Sequence, residues 1–275
     1  MPAGPADRMH IDRLIRRGGR TSAGVACGAG HAWRALAATT AAMLLGCASM
    51  PDAAPAAPGS AALADTDQSA QLAERYAGWV RRGERVYRFD PAISDVRIYV
   101  FRSGIAARLG HDHILSAPEF IAYAHMPPGH PVEGGFDLQL RLDRLRVDDA
   151  ALRAKLGGAF ATPLDEADVA GTREHMLGDD YFQAARYPYV RVRTVRLIGA
   201  AAASAAQVEI VLHGRSRELW LPLQVELDAA RIAVAGSFVL RQSDFDVKPF
   251  SILGGAIAVQ DEIILSFRLA GALLP

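Results

Sequence analysis

Cysteine is nearly missing from this chain of 275 residues. Only Cys27 and Cys47 occur, so nothing after Cys47 carries a thiol. That excludes a disulfide framework, a cysteine-ligated metal and a cysteine nucleophile from the remainder. An excess of charge is missing too, since 30 Lys and Arg balance 30 Asp and Glu. A zero balance with no basic stripe leaves no footprint for nucleic acid. There is no Gly-x-Ser-x-Gly elbow and no P-loop, so serine hydrolysis and phosphate chemistry have no support. Without disulfides an exported domain needs a sizeable core, and the length after residue 85 suffices for one.

What is present begins with a leader. Arg13, Arg16, Arg17, Arg20 and Arg34 precede an uncharged apolar run, Ala35 to Leu45. That run is too short to cross a bilayer as a mature helix. Positive, then apolar, then a small residue is the order of a secretory signal. Leu44-Leu45-Gly46-Cys47 resembles a bacterial lipobox, in which Cys47 becomes the lipid-carrying N-terminus; the alternative is an ordinary signal with Cys47 incidental. Residues 1–47 are therefore expected to be a signal peptide that sends the chain to the periplasmic side of the cell envelope. Ala48 after the cysteine favours the outer membrane over the inner. Residues 48–67, rich in Ala and Pro, are expected to form a flexible tether. In residues 68–85, Leu72, Tyr76, Trp79 and Val80 recur at helical spacing. They predict a short amphipathic helix whose apolar stripe lies on the outside of the following domain, with a plug or membrane-facing helix as the alternative.

Period-2 alternation then takes over. Phe136, Leu138, Leu140 and Leu142 alternate with Asp137, Gln139, Arg141 and Asp143. Leu219 to Leu227, Ile232 to Leu240 and Ile257 to Leu269 repeat the pattern, and weaker runs cover Val96–Arg102, Glu119–Met126, Val190–Ile198 and Val208–His213. Such runs are strands with one face on a core. The apolar phase slips near Arg193–Val195, which predicts a bulge. Pro222 brings no N–H to a ladder and predicts an edge or bulge there. Helical material is confined to one insertion, with Asp148–Leu156 and Thr172–Asp180 as candidates capped by Asp148 and Thr172. About eight strands joined by short links predict an all-β, antiparallel barrel over residues 86–271. Its lumen is either filled by side chains or holds one slender ligand.

Several segments are similar to YceI-like proteins. Tyr87-Arg88-Phe89-Asp90 opens a strand as in that family. Thr172-Arg173-Glu174-His175-Met176-Leu177, Asp180-Tyr181-Phe182 and Tyr187-Pro188 resemble its central signature. His213-Gly214-Arg215-Ser216 resembles its Gly turn, and Leu240 to Val247 its Arg-x-x-Asp-Phe-x-Val strand. The resemblance covers nearly all of residues 86–270. It implies a lipocalin-like eight-stranded barrel, a long apolar tunnel for a polyisoprenoid or similar amphiphile, a periplasmic or secreted address, and a homodimer as in related proteins. Alternation and family position together nominate Phe120, Phe136, Leu138, Met176, Phe182, Phe238 and Phe245 as lumen residues; plain core packing is the alternative for each.

Gly110-His111-Asp112-His113 departs from the better-known members. A spacing of two on a strand puts His111 and His113 on one face, as a head-group clamp or a metal site needs. His125, His130, His175 and His213 could add ligands; the alternative is a structural pair bonded to backbone. Arg173, Glu174 and His175 read as a charge network fixing the insertion to the barrel, and Arg241 with Asp244 as a similar pair. Non-catalytic carriage of an amphiphilic lipid, with no cofactor and no resident metal, is the expectation. One rival is a cupin-like metal enzyme using His111 and His113. Glu119 follows too far on for that motif, and no second Pro-x-Gly-x-x-His element exists. The other rival is a structural envelope module with a filled core.

Overall fold

The computed structural model describes residues 66–200 and 203–275. The expected signal peptide, Cys47 and the tether up to residue 65 lie outside the described residues.

The chain enters through α1 (Ser69–Arg81) and then runs β1 (Arg85–Phe89), β2 (Asp95–Val100), β3 (Arg102–Ser103), β4 (His113–Ser116), β5 (Ile121–Met126), β6 (Gly135–Arg141) and β7 (Arg146–Val147). The helices α2 (Ala150–Leu156) and α3 (Glu166–Leu177) follow. The chain then completes β8 (Tyr189–Ala200), β9 (Ala203–Leu212), β10 (Arg215–Leu227), β11 (Arg231–Arg241), β12 (Ser251–Ile252), β13 (Ile257–Val259) and β14 (Glu262–Leu273). The strands order as β1-β5-β6-β8-β9-β10-β11-β14, all antiparallel, and β14 pairs back onto β1 to close the ring. This is an eight-stranded barrel. Closure leaves the ring without a free edge.

Three staves are broken toward one end, called here the upper end. β2 continues β1, β4 leads into β5 and β7 continues β6; β2 pairs with β14, β4 with β2 and β7 with β4. Proline marks two of the breaks, Pro91 and Pro118, where no N–H is available for a ladder. At the first, the Asp90 carboxylate accepts the Ala92 N–H at 2.9 Å and turns the chain.

Local sequence explains most other joints. β9 and β10 are linked by His213 and Gly214, with φ of 51° and 70°. Two left-handed residues are what a tight hairpin turn with right-handed twist demands. A Cβ on Gly214 would lie 2.7 Å from the Tyr187 ring, so glycine is needed for space as well. Asp228 closes the β10–β11 turn by accepting the N–H groups of Ala230 and Arg231, each at 2.7 Å. The expected bulge is present as a register shift between Thr194 and Arg196. The β10–β11 ladder covers only Gln224–Leu227 against Ile232–Ala235 and stops short of Pro222.

The sequence reading needs five corrections. α3 starts before Thr172, because Asp165 caps it by accepting the Asp168 N–H at 2.7 Å. Asp149, not Asp148, caps α2. The run Ile257–Leu269 is not one strand: β13 leaves the barrel and joins β3 and β12 in a small separate sheet. Leu240 to Val247 is not a strand beyond Arg241; Ser243–Phe245 forms a 3-10 turn that tucks Phe245 and Val247 into the core. Arg241 accordingly pairs with Glu262 at 3.2 Å rather than with Asp244.

The core lies inside the ring. Phe89, Leu115, Leu138, Leu140, Val208, Ile210, Leu221, Leu240, Ile263 and Leu269 belong to it. A second, smaller cluster sits outside, where α1 lays Leu72 and Tyr76 on Val86 and Tyr123. Tyr76 stacks on Tyr123 with centroids 4.9 Å apart. Its hydroxyl donates to Asp137 at 3.0 Å, and Arg75 reaches the same carboxylate at 3.2 Å. Asp137 and Gln139, on the polar face of β6, are therefore buried under the helix rather than in water.

Candidate functional site

The inward faces of the eight staves enclose a cavity of about 600 Å³. Volumes of roughly 300–1,000 Å³ are typical of small-molecule sites. Its wall is built by strand alternation: Leu138 and Leu140 from β6, Val190 and Val192 from β8, Val208 and Ile210 from β9, Leu221 and Leu223 from β10, Phe238 and Leu240 from β11, and Leu265 and Phe267 from β14. Each such set leaves the intervening residues outside the barrel. Polar atoms gather at the two ends. At the upper end the lining includes His113, Asp168, Thr172, His175, Tyr181 and Gln242; at the lower end it includes His125 and Thr194.

Of the seven nominated lumen residues, Phe136, Leu138, Met176, Phe182 and Phe238 line this cavity. Phe120 and Phe245 do not; both are buried in the core around it. Phe120 lies at the break between β4 and β5, and Phe245 on the turn after β11, where strand alternation no longer sets direction. His113 lines the cavity and His111 does not. β4 begins at His113, so the spacing of two does not bring both rings to one strand face.

His113 is held from behind. Its Nδ1 lies 2.6 Å from Asp148 Oδ2. The other carboxylate oxygen accepts the Ile114 N–H at 3.0 Å and the Arg153 guanidinium at 2.6 Å. Asp148 sits at φ 52°, a left-handed conformation that Asp tolerates better than most residues. Both Asp148 and Arg153 are buried. Arg153 also donates to the carbonyls of Asp112 at 2.8 Å and Thr162 at 3.1 Å. Burial pushes the Asp148 carboxyl up, but the hydrogen bond and charge of His113, the Ile114 N–H and Arg153 together hold it below the usual carboxylate range. An ionised Asp148 holds the ring through Nδ1, which leaves Nε2 free of that carboxylate.

The helical insertion forms the rest of the upper rim. Arg173 donates to the carbonyls of Leu145, at 2.6 Å, and Asp143, tying α3 to the barrel through backbone groups rather than through a charge network with Glu174 and His175. His175, Tyr181 and Phe250 form an aromatic cluster with centroids 6.0–6.5 Å apart. Burial raises the Tyr181 hydroxyl above its ordinary value, with Asp180 adding to the effect. Gln242 donates to the Gln260 carbonyl at 2.9 Å.

The remaining histidines do not converge. His125 Nδ1 is 2.7 Å from Glu84, and its ring stacks on Trp79 at 3.7 Å. His130 faces Glu133 at 3.5 Å, and His213 meets the Phe245 carbonyl at 3.0 Å. Among the described residues, no group of three or more His, Cys, Asp and Glu could hold a metal ion. Residue patterns alone do not mark Asp148, Arg153, Tyr181 and Gln242 as members of this site. Tyr181 and Gln242 lie inside segments that resemble family motifs, but no periodicity points either at the cavity, and nothing local links Asp148 to His113.

The YceI-like domain matches residues 87–270, from the first strand to the last. The chain belongs to the YceI-like family. Among solved structures it is similar to Burkholderia cenocepacia BcnA, with 16% identity, a TM-score of 0.50, and coverage of 66% of this chain and 98% of that one. A polyisoprenoid binding domain from Saccharophagus degradans is 13% identical with a TM-score of 0.43, covering 68% of this chain and 98% of that one. The Campylobacter jejuni YCEI protein is 13% identical with a TM-score of 0.42, covering 58% and 85%. No curated protein matches the chain. At these identities BcnA supports the shared YceI-like barrel fold and nothing finer.

Proposed function

We propose that this protein binds an amphiphilic lipid with a polyisoprenoid-like tail and carries it, without chemistry on it, on the periplasmic side of the cell envelope, anchored through a lipid on Cys47. The observation that supports this reading is the cavity of about 600 Å³ with an apolar wall and polar ends. An apolar wall of that extent is unfavourable to leave against water, and an apolar occupant removes that exposure. Membership of the YceI-like family and the name of the Saccharophagus domain agree with an isoprenoid occupant.

Carriage rather than storage follows from the reference state. Each buried CH₂ is worth about 0.8 kcal/mol against water. Against a bilayer, the tail gains almost nothing, so uptake and return are both open. The test is mass spectrometry of extracts from protein purified without detergent. A stoichiometric isoprenoid-type lipid is expected. Protein that is folded, lipid-free and unable to take up an added prenyl lipid would refute the proposal in favour of a structural module.

A further inference from the structure

The small sheet of β3, β12 and β13 stands at the upper end of the barrel, beside the cavity mouth. Val259 of β13 and Phe250, just before β12, line the cavity. Two turns project from it, Gly104–Gly110 and Leu253–Ala256. They are locked together: the Ala106 N–H donates to the Ala256 carbonyl at 2.8 Å. Gly104 has φ 93°, and a Cβ there would sit 2.4 Å from the Gly255 and Ala256 carbonyl oxygens, so only glycine permits the contact.

These joined turns, with the end of β12, hold four aliphatic side chains out in water. Ile105 is 98% exposed, Leu253 77%, Leu109 66% and Ile252 44%. Leu253 also has φ 52°, a costly conformation for a bulky residue. At these exposures the barrel gains little from the side chains, and none of the four belongs to the buried core. Within the two turns the charge is basic, while the exposed acids of the upper end, Asp165, Glu166, Asp168 and Glu174 among them, sit on α3 and at its cap. Arg108 lies between Ile105 and Leu109, and Lys248 precedes β12; both are exposed, and neither has an ion-pair partner among the described residues. The two turns contain no Asp or Glu. Nearby Asp112 is buried and held by Arg102, and Asp246 is paired with Arg215.

Separate protruding aliphatic groups flanked by cations suit a fluid apolar layer beneath anionic head groups. They suit a protein partner poorly, since protein interfaces rely on aromatic and arginine anchors seated in pockets. We propose that Ile105, Leu109, Ile252 and Leu253 insert into the interfacial layer of an anionic bilayer and set the upper mouth of the cavity against it. A lipid then passes between bilayer and cavity without crossing water. The transfer step rests on the carrier reading; the docking step does not.

The test uses the full chain with Cys27→Ser and Cys47→Ser, so that no lipid anchor forms, and an environment-sensitive fluorophore on Leu253→Cys. The same label on Ala229→Cys, at the opposite end of the barrel, is the control. Vesicles of phosphatidylcholine containing phosphatidylglycerol should shift the position-253 label to the blue and leave the position-229 label unchanged. Arg108→Gln should weaken that response about fivefold, the worth of one interfacial cation. A position-253 label that stays in water with anionic vesicles overturns the proposal. So does a blue shift that appears without vesicles and grows with protein concentration, which would assign the tip to a second copy of the chain. Unlabelled Ile105→Ser/Leu253→Ser protein should retain its extractable lipid and deliver it to vesicles more slowly. If parent protein docks but yields and takes up no lipid, docking stands and the carrier reading fails.

Discussion

Arg153 and Asp148 meet at 2.6 Å inside the protein, both buried, behind the His113 ring. Replacing Arg153 with Met keeps the volume of the side chain and removes its charge. The Asp148 carboxylate then stays buried with His113 and the Ile114 N–H but no permanent cation. Breaking a buried pair in this way costs about 3–5 kcal/mol. At about 2–4 °C per kcal/mol for a domain of this size, the midpoint of thermal unfolding should fall by about 6–20 °C. Asp148→Asn is the reciprocal change, and Asn tolerates the left-handed backbone at that position. It leaves Arg153 buried without its anion, so a similar loss is expected. The double variant has neither charge and should lose at least about 1 kcal/mol less than the sum. Urea titration with an unchanged slope measures all three. The pH arm has a definite sign. Asp148 is depressed in the folded state, so its contribution is complete above the unfolded value, about 3.9, and disappears as pH falls through the folded value. Arg153→Met raises the carboxyl and should move acid unfolding to higher pH. Strictly additive losses, or an Arg153→Met protein within about 1 kcal/mol of the parent, would refute a coupled ion pair.

Three further outcomes are expected. Tyr76→Phe leaves Asp137 one donor short beneath α1 and should cost about 1–3 kcal/mol, with α1 cut earlier in limited proteolysis. Gly214→Ala meets both a left-handed φ and the Tyr187 ring, whereas Gly129→Ala meets the φ of 77° alone with open space around it. The first should therefore destabilise more than the second in urea, each by at least about 0.5 kcal/mol. Phe182→Glu places a charge on the cavity wall near the rim, where the side chain is half-buried; the folded variant should yield no extractable lipid, and full lipid recovery would remove the cavity from the argument at that residue.

The barrel was legible because alternation is a global constraint. One face of each stave has to reach the core, so Leu219 to Leu227 and Ile232 to Leu240 show it in composition alone. The bulge at Thr194 was legible for the same reason, as a phase slip. What failed was direction where alternation stops. Phe245 looks like a strand residue in sequence, yet the 3-10 turn after β11 sends it into the core. His111 and His113 have strand spacing, yet β4 begins only at the second. Asp137 and Gln139 read as solvent-facing, but α1 covers them, and a helix docking on an outer face leaves no periodic trace in the strand beneath it. Asp148 was hardest to find. Its role depends on a left-handed backbone and on Arg153 one helical turn away, and the first of these cannot be seen in residue identities.

The wall and the ends of the cavity divide the work of recognition. An aliphatic wall treats one isoprenoid tail like another and treats both like a bilayer, so it sets capacity rather than choice. Choice falls to the polar groups at the upper end. There the Asp148 carboxylate takes up one nitrogen of His113 and Gln260 takes up the Gln242 amide N–H. No Lys or Arg is among the residues that line the cavity, and Asp168 is the carboxylate at the rim. On the proposed carrier reading, a head group at that end would meet the second nitrogen of an oriented imidazole, the Gln242 carbonyl oxygen and the hydroxyls of Thr172 and Tyr181. Those groups exchange hydrogen bonds rather than neutralise charge. Fixing the imidazole through a buried ion pair fits this division, because a ring that could swing would present different edges to the same head group.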